Sequence, residues 1–288
     1  MKLAATLLAL AAAAAFAVAS TLEQRAAKRE KLARALDPRL LMRLLHQPIW
    51  LLSLIPEVVG TGLQALALSF GPLALVEPLL LGGVFLAIPM EAALSRRRVH
   101  RRDFAAASLG VLGLTAFLLA AQPRAGVPEP TSSAWIGIAL VAGPLCAALV
   151  VIAWHTRGAA RGGVLGVATG LLYALAASLL KTLTARLAAD PLSVLTTWHL
   201  YALIVVGFAG VVLNQNALQS GRLAAPLTAI TTVDPFASIL IGVTAFQERL
   251  DTSGPRLTIE LAAAVAIAGG IWLASTARSD RRQPQPGR

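Results

Sequence analysis

Charge is what this sequence has least of. Only 14% of its 288 residues are Asp, Glu, Lys or Arg, against roughly 25% in an ordinary soluble domain. So few charges cannot coat a chain that is 57% hydrophobic, which excludes a soluble globular protein. The same apolar composition excludes disorder. Cysteine is nearly absent. Cys146 stands alone, so no intrachain disulfide or dithiol redox pair exists. The four histidines, His46, His100, His155 and His199, lack metal-ligand spacing. There is no nucleophile elbow, zinc motif or pair of catalytic acids. An enzyme is therefore not expected, nor a cofactor.

What the chain has in quantity is long apolar runs. Nine of them reach the ~20 residues that cross a bilayer core: 3–20, 48–69, 72–94, 104–121, 134–154, 163–180, 197–218, 223–246 and 259–276. They are too long and too little alternating for barrel strands. Trp50, Trp135, Trp154, Trp198 and Tyr201 fall at or near span ends, where amphipathic rings sit among headgroups. The expected class is an all-α polytopic membrane protein.

The net charge of +11 would suggest nucleic acid in a soluble protein. Here its distribution encodes topology instead. Residues 21–47, 95–103, 155–162, 219–222 and the tail 277–288 lie on one side and carry 19 Lys and Arg. The other side carries Lys2, Arg124, Lys181, Arg186, Arg249 and Arg256. The positive-inside rule makes the first side cytoplasmic. The N-terminus is then outside and the C-terminus inside, in the cell (inner) membrane. Residues 1–20 admit a second reading as a signal peptide, because Ala17-Val18-Ala19 precedes Ser20 in an A-x-A pattern.

Self-comparison favours keeping that first span. At an offset of 157, Phe16-Ala17-Val18-Ala19 faces Tyr173-Ala174-Leu175-Ala176. Near 153, Asp37-Pro38 faces Asp190-Pro191, and near 150, Ala67-Leu68 and Gly71 face Ala217-Leu218 and Gly221. At 157 again, Val76-Glu77-Pro78 faces Val233-Asp234-Pro235, Glu91 faces Glu248 and Asp103 faces Glu260. The polar and proline matches carry the weight in so apolar a chain. Spans 1–4 thus repeat as spans 6–9. One connecting span turns the second copy upside down, giving two inverted four-helix repeats joined by one connector helix. The divisions are 1–121, including the basic cytoplasmic stretch 21–47; the connector 122–162; the second repeat 163–276; and a flexible cytoplasmic tail 277–288.

Two stretches resemble the drug/metabolite transporter superfamily and its EamA-like repeats. They are Leu66-Ala67-Leu68-Ser69-Phe70-Gly71-Pro72-Leu73 with Val76-Glu77-Pro78, and Asn216-Ala217-Leu218-Gln219 through Val233-Asp234-Pro235 to Gln247-Glu248-Arg249-Leu250. The resemblance implies a transporter of a small solute working by alternating access. The usual member has ten spans. Here the second helix of each repeat is reduced to 25–46 and 182–195, a pattern closer to the nine-span NIPA-like branch. That branch implies divalent cation (magnesium) transport as the alternative function. A non-transporting membrane scaffold or lipid-binding protein is a further alternative.

Charged groups at the bilayer centre cost about 2.5–3.5 kcal/mol on insertion scales and need a reason. Three acids lie within spans and adjoin prolines: Pro56-Glu57, Glu77-Pro78 and Asp234-Pro235. Carboxylates and proline-freed carbonyls are oxygen ligands for a proton or hard cation. If a metal cation is carried, Glu57, Glu77 and Asp234 are its expected ligands. Thr61, Gln64, Asn214, Gln215 and Asn216 add hydroxyl and amide groups suited to solute contact or helix packing. Glu91 and Glu248, at span ends, read as solvated ion pairs, and His199 as interfacial.

Gly163, Gly166 and Gly170, Gly110 and Gly113, and Gly207 and Gly210 read as close-packing stripes. The run from Arg25 through Lys28, Arg29 and Lys31 to Arg34 reads as a basic amphipathic helix on anionic inner-leaflet lipids. Arg96-Arg97-Arg98 and Arg101-Arg102 read as topology anchors, and loop 122–133 as flexible surface. The expected partners are the lipid bilayer and a small-molecule or cation substrate, with no nucleic acid; a homodimer stays open.

Overall fold

Alanine and leucine dominate the apolar runs, and both favour helix. In the computed structural model, which describes residues 2–27, 47–94, 101–219, 224–251, 254 and 256–280, those runs are helices. In chain order they are α1 (Lys2–Ala27), α2 (Pro48–Phe70), α3 (Leu73–Leu94), α4 (Arg101–Ala121) and α5 (Ser132–His155). They continue as α6 (Gly158–Ala189), the one-turn α7 (Ser193–Thr196), α8 (Trp198–Gln219), α9 (Ala224–Thr244) and α10 (Arg256–Asp280). Among the described residues the one β-type pairing is an isolated bridge between Arg124 and Arg249.

Among the described residues six helices are long and apolar enough to cross a membrane: α1, α2, α5, α6, α8 and α9. Shorter apolar stretches, Leu73–Gly83, Ser108–Ala121 and Thr258–Ile271, lie within α3, α4 and α10. The largest departure from expectation is α6. The sequence marks 163–180, yet the helix runs for 32 residues, roughly 48 Å. Lys181 and Arg186, expected in a loop, therefore belong to α6. Nothing between Gly158 and Ala189 breaks a helix, and Asp190-Pro191 ends it. The segment 182–195 is the end of α6 followed by α7. Its counterpart 25–46 is described only to Ala27, so most of the basic run lies outside the described residues. So do His46, His100, Arg96, Arg97, Arg98, Arg222 and the tail beyond Asp280.

Packing is built on small residues, as expected where lipid removes the hydrophobic drive between helices. Helix α1 lies along α2 and α3 and buries Ala5, Ala9, Ala12, Ala13, Ala17 and Ala19. At Gly83 a β-carbon would stand 2.5 Å from the Ala13 carbonyl oxygen, so α1 and α3 touch backbone to backbone. Helix α6 lies along α8 and α9, with Gly166 against Pro226 and Gly170 against Val233. Helices α4 and α10 pack along each other, and α3 meets α9. Helix α5 packs mainly on α6 and buries only Trp135 and Ala153. Its N-cap Thr131 accepts from Ala134 N–H at 3.3 Å.

One end of the bundle is tied together by connecting segments. Arg124 and Arg249 exchange backbone hydrogen bonds of 2.9 and 3.2 Å, Val127 N–H donates to Phe246 O at 2.7 Å, and Asp251 N–H donates to Ala121 O at 2.8 Å. Gly126 makes this pairing possible: a β-carbon there would lie 2.1 Å from Phe246 O. Arg186 is ion-paired with Glu129, and Arg256 with Asp251. Loop 122–131 is thus a largely exposed segment, as expected, but one paired through its backbone at Arg124 and Val127.

The same end corrects a further expectation. Glu248 is 2% exposed, not solvated. Its carboxylate pairs with Lys181 Nζ and accepts from Leu73 N–H at 2.6 Å and Ala74 N–H at 2.9 Å. Those are orphan donors of the first turn of α3, where the helix dipole also favours an anion. Lys181 Nζ lies 4.6 Å from the Phe246 ring centroid. His199 is 2% exposed, stacked on Trp198 and edge-on to Trp135. Its ring is held by Thr197 Oγ1 at 2.8 Å, so it is packed within this end of the bundle. The side chain of Glu91 lies outside the described ones.

Candidate functional site

A cavity of about 520 Å³ lies between the helices. Its walls come from α1, α2, α3, α6, α8 and α9, with Ile271 of α10. The lining is mostly aliphatic, and the polar groups are few. Five of the seven residues singled out in the sequence meet here: Glu57, Gln64, Glu77, Asn214 and Asp234. Glu57, Thr61 and Gln64 stand on one face of α2 because their spacing of four and three residues is the helical repeat.

Glu77 is 4% exposed, one turn into α3, and Gln64 Nε2 donates to its Oε1 at 2.8 Å. Asp234 lies across from it on α9, close enough for the two carboxylates to interact electrostatically. Ser238 Oγ sits 3.5 Å from Asp234 Oδ1, at the limit of a hydrogen bond. The carboxylate of Glu57 has no hydrogen-bond or ion-pair partner among the described residues. Pro235 has no N–H to offer the carbonyl of Thr231, one turn back on the cavity wall. Among the described residues no Lys, Arg or His lines the cavity. Among the described residues no three His, Cys, Asp or Glu side chains converge as a metal-binding group.

Gln215 and Asn216 are not among the lining residues. Both are buried, at 3% and 6% exposure. Asn216 Nδ2 donates to Val212 O of its own helix at 2.8 Å, and neighbouring Ala217 packs with Leu165 and Ala153. Three consecutive helical residues fan over some 200°, so only one, Asn214, faces the cavity.

Sequence reasoning missed Phe16, Ser20, Tyr173 and Thr231 as lining residues. The repeat contained the signal for two of them, since Phe16 faces Tyr173 at offset 157. Each ring rests on a glycine. A β-carbon on Gly60 of α2 would lie 2.8 Å from Phe16, and one on Gly210 of α8 would lie 3.0 Å from Tyr173. Gly207, by contrast, has no close neighbour and opens onto the cavity.

No protein-family model matches the chain, and no solved structure matches it. It is similar to a Corynebacterium glutamicum protein, itself described as uncharacterized, with 25% identity over 249 residues that cover 86% of each chain.

Proposed function

We propose that this chain is a transporter of the cell (inner) membrane that moves a small solute by alternating access. In this reading it has nine spans in two inverted four-helix repeats joined by α5, with the N-terminus outside and the C-terminus cytoplasmic. It would belong with the EamA-like drug/metabolite transporters. The observation that carries the reading is the duplicated ring-on-glycine packing at the cavity. Phe16 and Tyr173 correspond at offset 157, and Gly60 and Gly210 at offset 150, so the same contact occurs once in each half. Opposed lining residues correspond too: Glu77 with Asp234 at 157, and Gln64 with Asn214 at 150. Helix packing supports the same exchange: α1 on α2 and α3 matches α6 on α8 and α9, while α4 meets α10 and α3 meets α9. A cavity between inverted halves is where such transporters bind their substrates.

A non-transporting scaffold predicts scattered acids with no shared cavity, so the common lining favours transport. Divalent cation transport is the second reading. The carboxylates favour it, and their failure to converge argues against direct coordination by all three.

The test is flux into proteoliposomes of purified protein, with and without a proton gradient, across metabolite pools and Mg²⁺. Solute flux lost in Glu57→Gln, Glu77→Gln and Asp234→Asn is expected. Flux independent of all three acids overturns the site, and Mg²⁺ flux lost in the triple variant would decide for the cation reading.

A further inference from the structure

The two long walls of the cavity have diverged in a way that describes a ligand. At offset 150, Glu57, Thr61 and Gln64 of α2 correspond to Gly207, Val211 and Asn214 of α8. All six line the cavity. One wall carries a carboxylate, a hydroxyl and an amide. The other carries a glycine, an isopropyl group and an amide. A symmetric or uniformly polar solute has no use for that difference. A ligand with a charged head and an apolar body matches it.

The sign of the head follows from the charges. Glu57, Glu77 and Asp234 face the cavity, and among the described residues no basic side chain does. Lys181, the buried basic residue of α6, is committed to Glu248. An anion would have to shed water beside three carboxyl groups with no basic side chain among the described lining residues, which low dielectric makes costly. The Phe16 ring lies on Gly60, one turn from Glu57, and both Phe16 and Glu57 line the cavity, so an aromatic ring and a carboxyl group occupy neighbouring turns of its wall. That pairing suits an ammonium group. The body follows from size and lining. A volume of about 520 Å³ falls in the range of roughly 300–1,000 Å³ that holds drug-sized molecules. Tyr173 on the opposite half adds a second ring.

We propose that the cavity takes an organic cation, an amine or quaternary ammonium group on an aryl or alkyl body, with Glu57 and Phe16 holding the head and the α8 wall holding the body. The proposal rests on reading this cavity as the transport site.

The test is equilibrium binding to the purified full chain in detergent, followed by flux in proteoliposomes. The probes are benzyltrimethylammonium, tryptamine and tetrabutylammonium, with tetramethylammonium as the head alone, phenylacetate as the anion, and Mg²⁺. At least one of the three body-bearing cations is expected to bind about tenfold tighter than tetramethylammonium, with phenylacetate not binding. Glu57→Gln is expected to weaken that cation about tenfold, and Val211→Asp to erase the advantage of the body. The probe ranking on the unaltered protein decides even if a variant fails to fold. Binding of none of the three, preference for phenylacetate, or Mg²⁺ binding that no organic cation displaces would overturn the proposal. Cation binding without flux would uphold it and count against the transporter reading. Flux of a neutral or anionic solute without cation binding would do the reverse.

Discussion

Lys181 and Glu248 show how a single pair can tie three elements. Both side chains are at least 93% buried, and the carboxylate also closes the first turn of α3. Removing one partner leaves a buried charge, at a cost of about 3–5 kcal/mol. Lys181→Met is therefore expected to lower the thermal midpoint in detergent sharply. Lys181→Met with Glu248→Gln is expected to recover part of the loss, and additive effects would refute coupling. Gly126 gives a second residue-scale prediction. Alanine there meets backbone atoms of Phe246 and Gln247, so Gly126→Ala is expected to cost about 1–3 kcal/mol. Gly137→Ala on α5, where nothing lies within 4 Å, is the matched control and should leave the midpoint unchanged or slightly raised. Neither effect is readable from the sequence, where Glu248 looks like one more acid beside a basic loop and Gly126 like one more loop glycine. Both depend on partners far along the chain, which local patterns do not name.

At the scale of elements, apolar length was the strong signal and side-chain facing the weak one. Each of the nine marked runs lies on a helix, because ~20 apolar residues in lipid leave the backbone few other ways to pair its polar groups. The overrun of α6 is not legible in the sequence because Lys181 and Arg186 interrupt the apolar run without interrupting the helix. Facing was legible where proline or the repeat marked it, as at Glu77 and Asp234. It was not legible across Asn214-Gln215-Asn216, whose three amides look equivalent on paper. The α6–α9 contact offers a test at this scale. A β-carbon on Gly170 would lie 2.9 Å from Val233 Cβ and 3.0 Å from Asp234 N, so Gly170→Val should separate the helices. The expected outcome is a loss of about 1–3 kcal/mol in stability together with impaired flux, while Gly143→Ala on α5 should alter neither. An unchanged Gly170→Val protein would refute the close contact.

The whole molecule sorts its connections by end. Segments near 72, 122–131, 186–199 and 245–251 contact one another, and these are the stretches assigned to the outside by counting Lys and Arg. Orientation can be read by labelling single cysteines on a Cys146→Ala background with a membrane-impermeant maleimide. Ser133→Cys should react in intact cells, and Arg157→Cys only after lysis. The reverse pattern would invert the topology. In the proposed orientation the ion pairs of the outer end also carry an electrical consequence. An inside-negative membrane opposes outward passage of each positive charge, by about 2.3 kcal/mol per 100 mV. Lys181, Arg186 and Arg256 each end beside a carboxylate, Glu248, Glu129 or Asp251, delivered to the same side by the same chain. Once both members have crossed, the electrophoretic work on one is returned by the other. Among the described residues, Lys2, Arg124 and Arg249 show no such pair to offset their passage, so the pairs that knit the outer end also lower the voltage cost of building it.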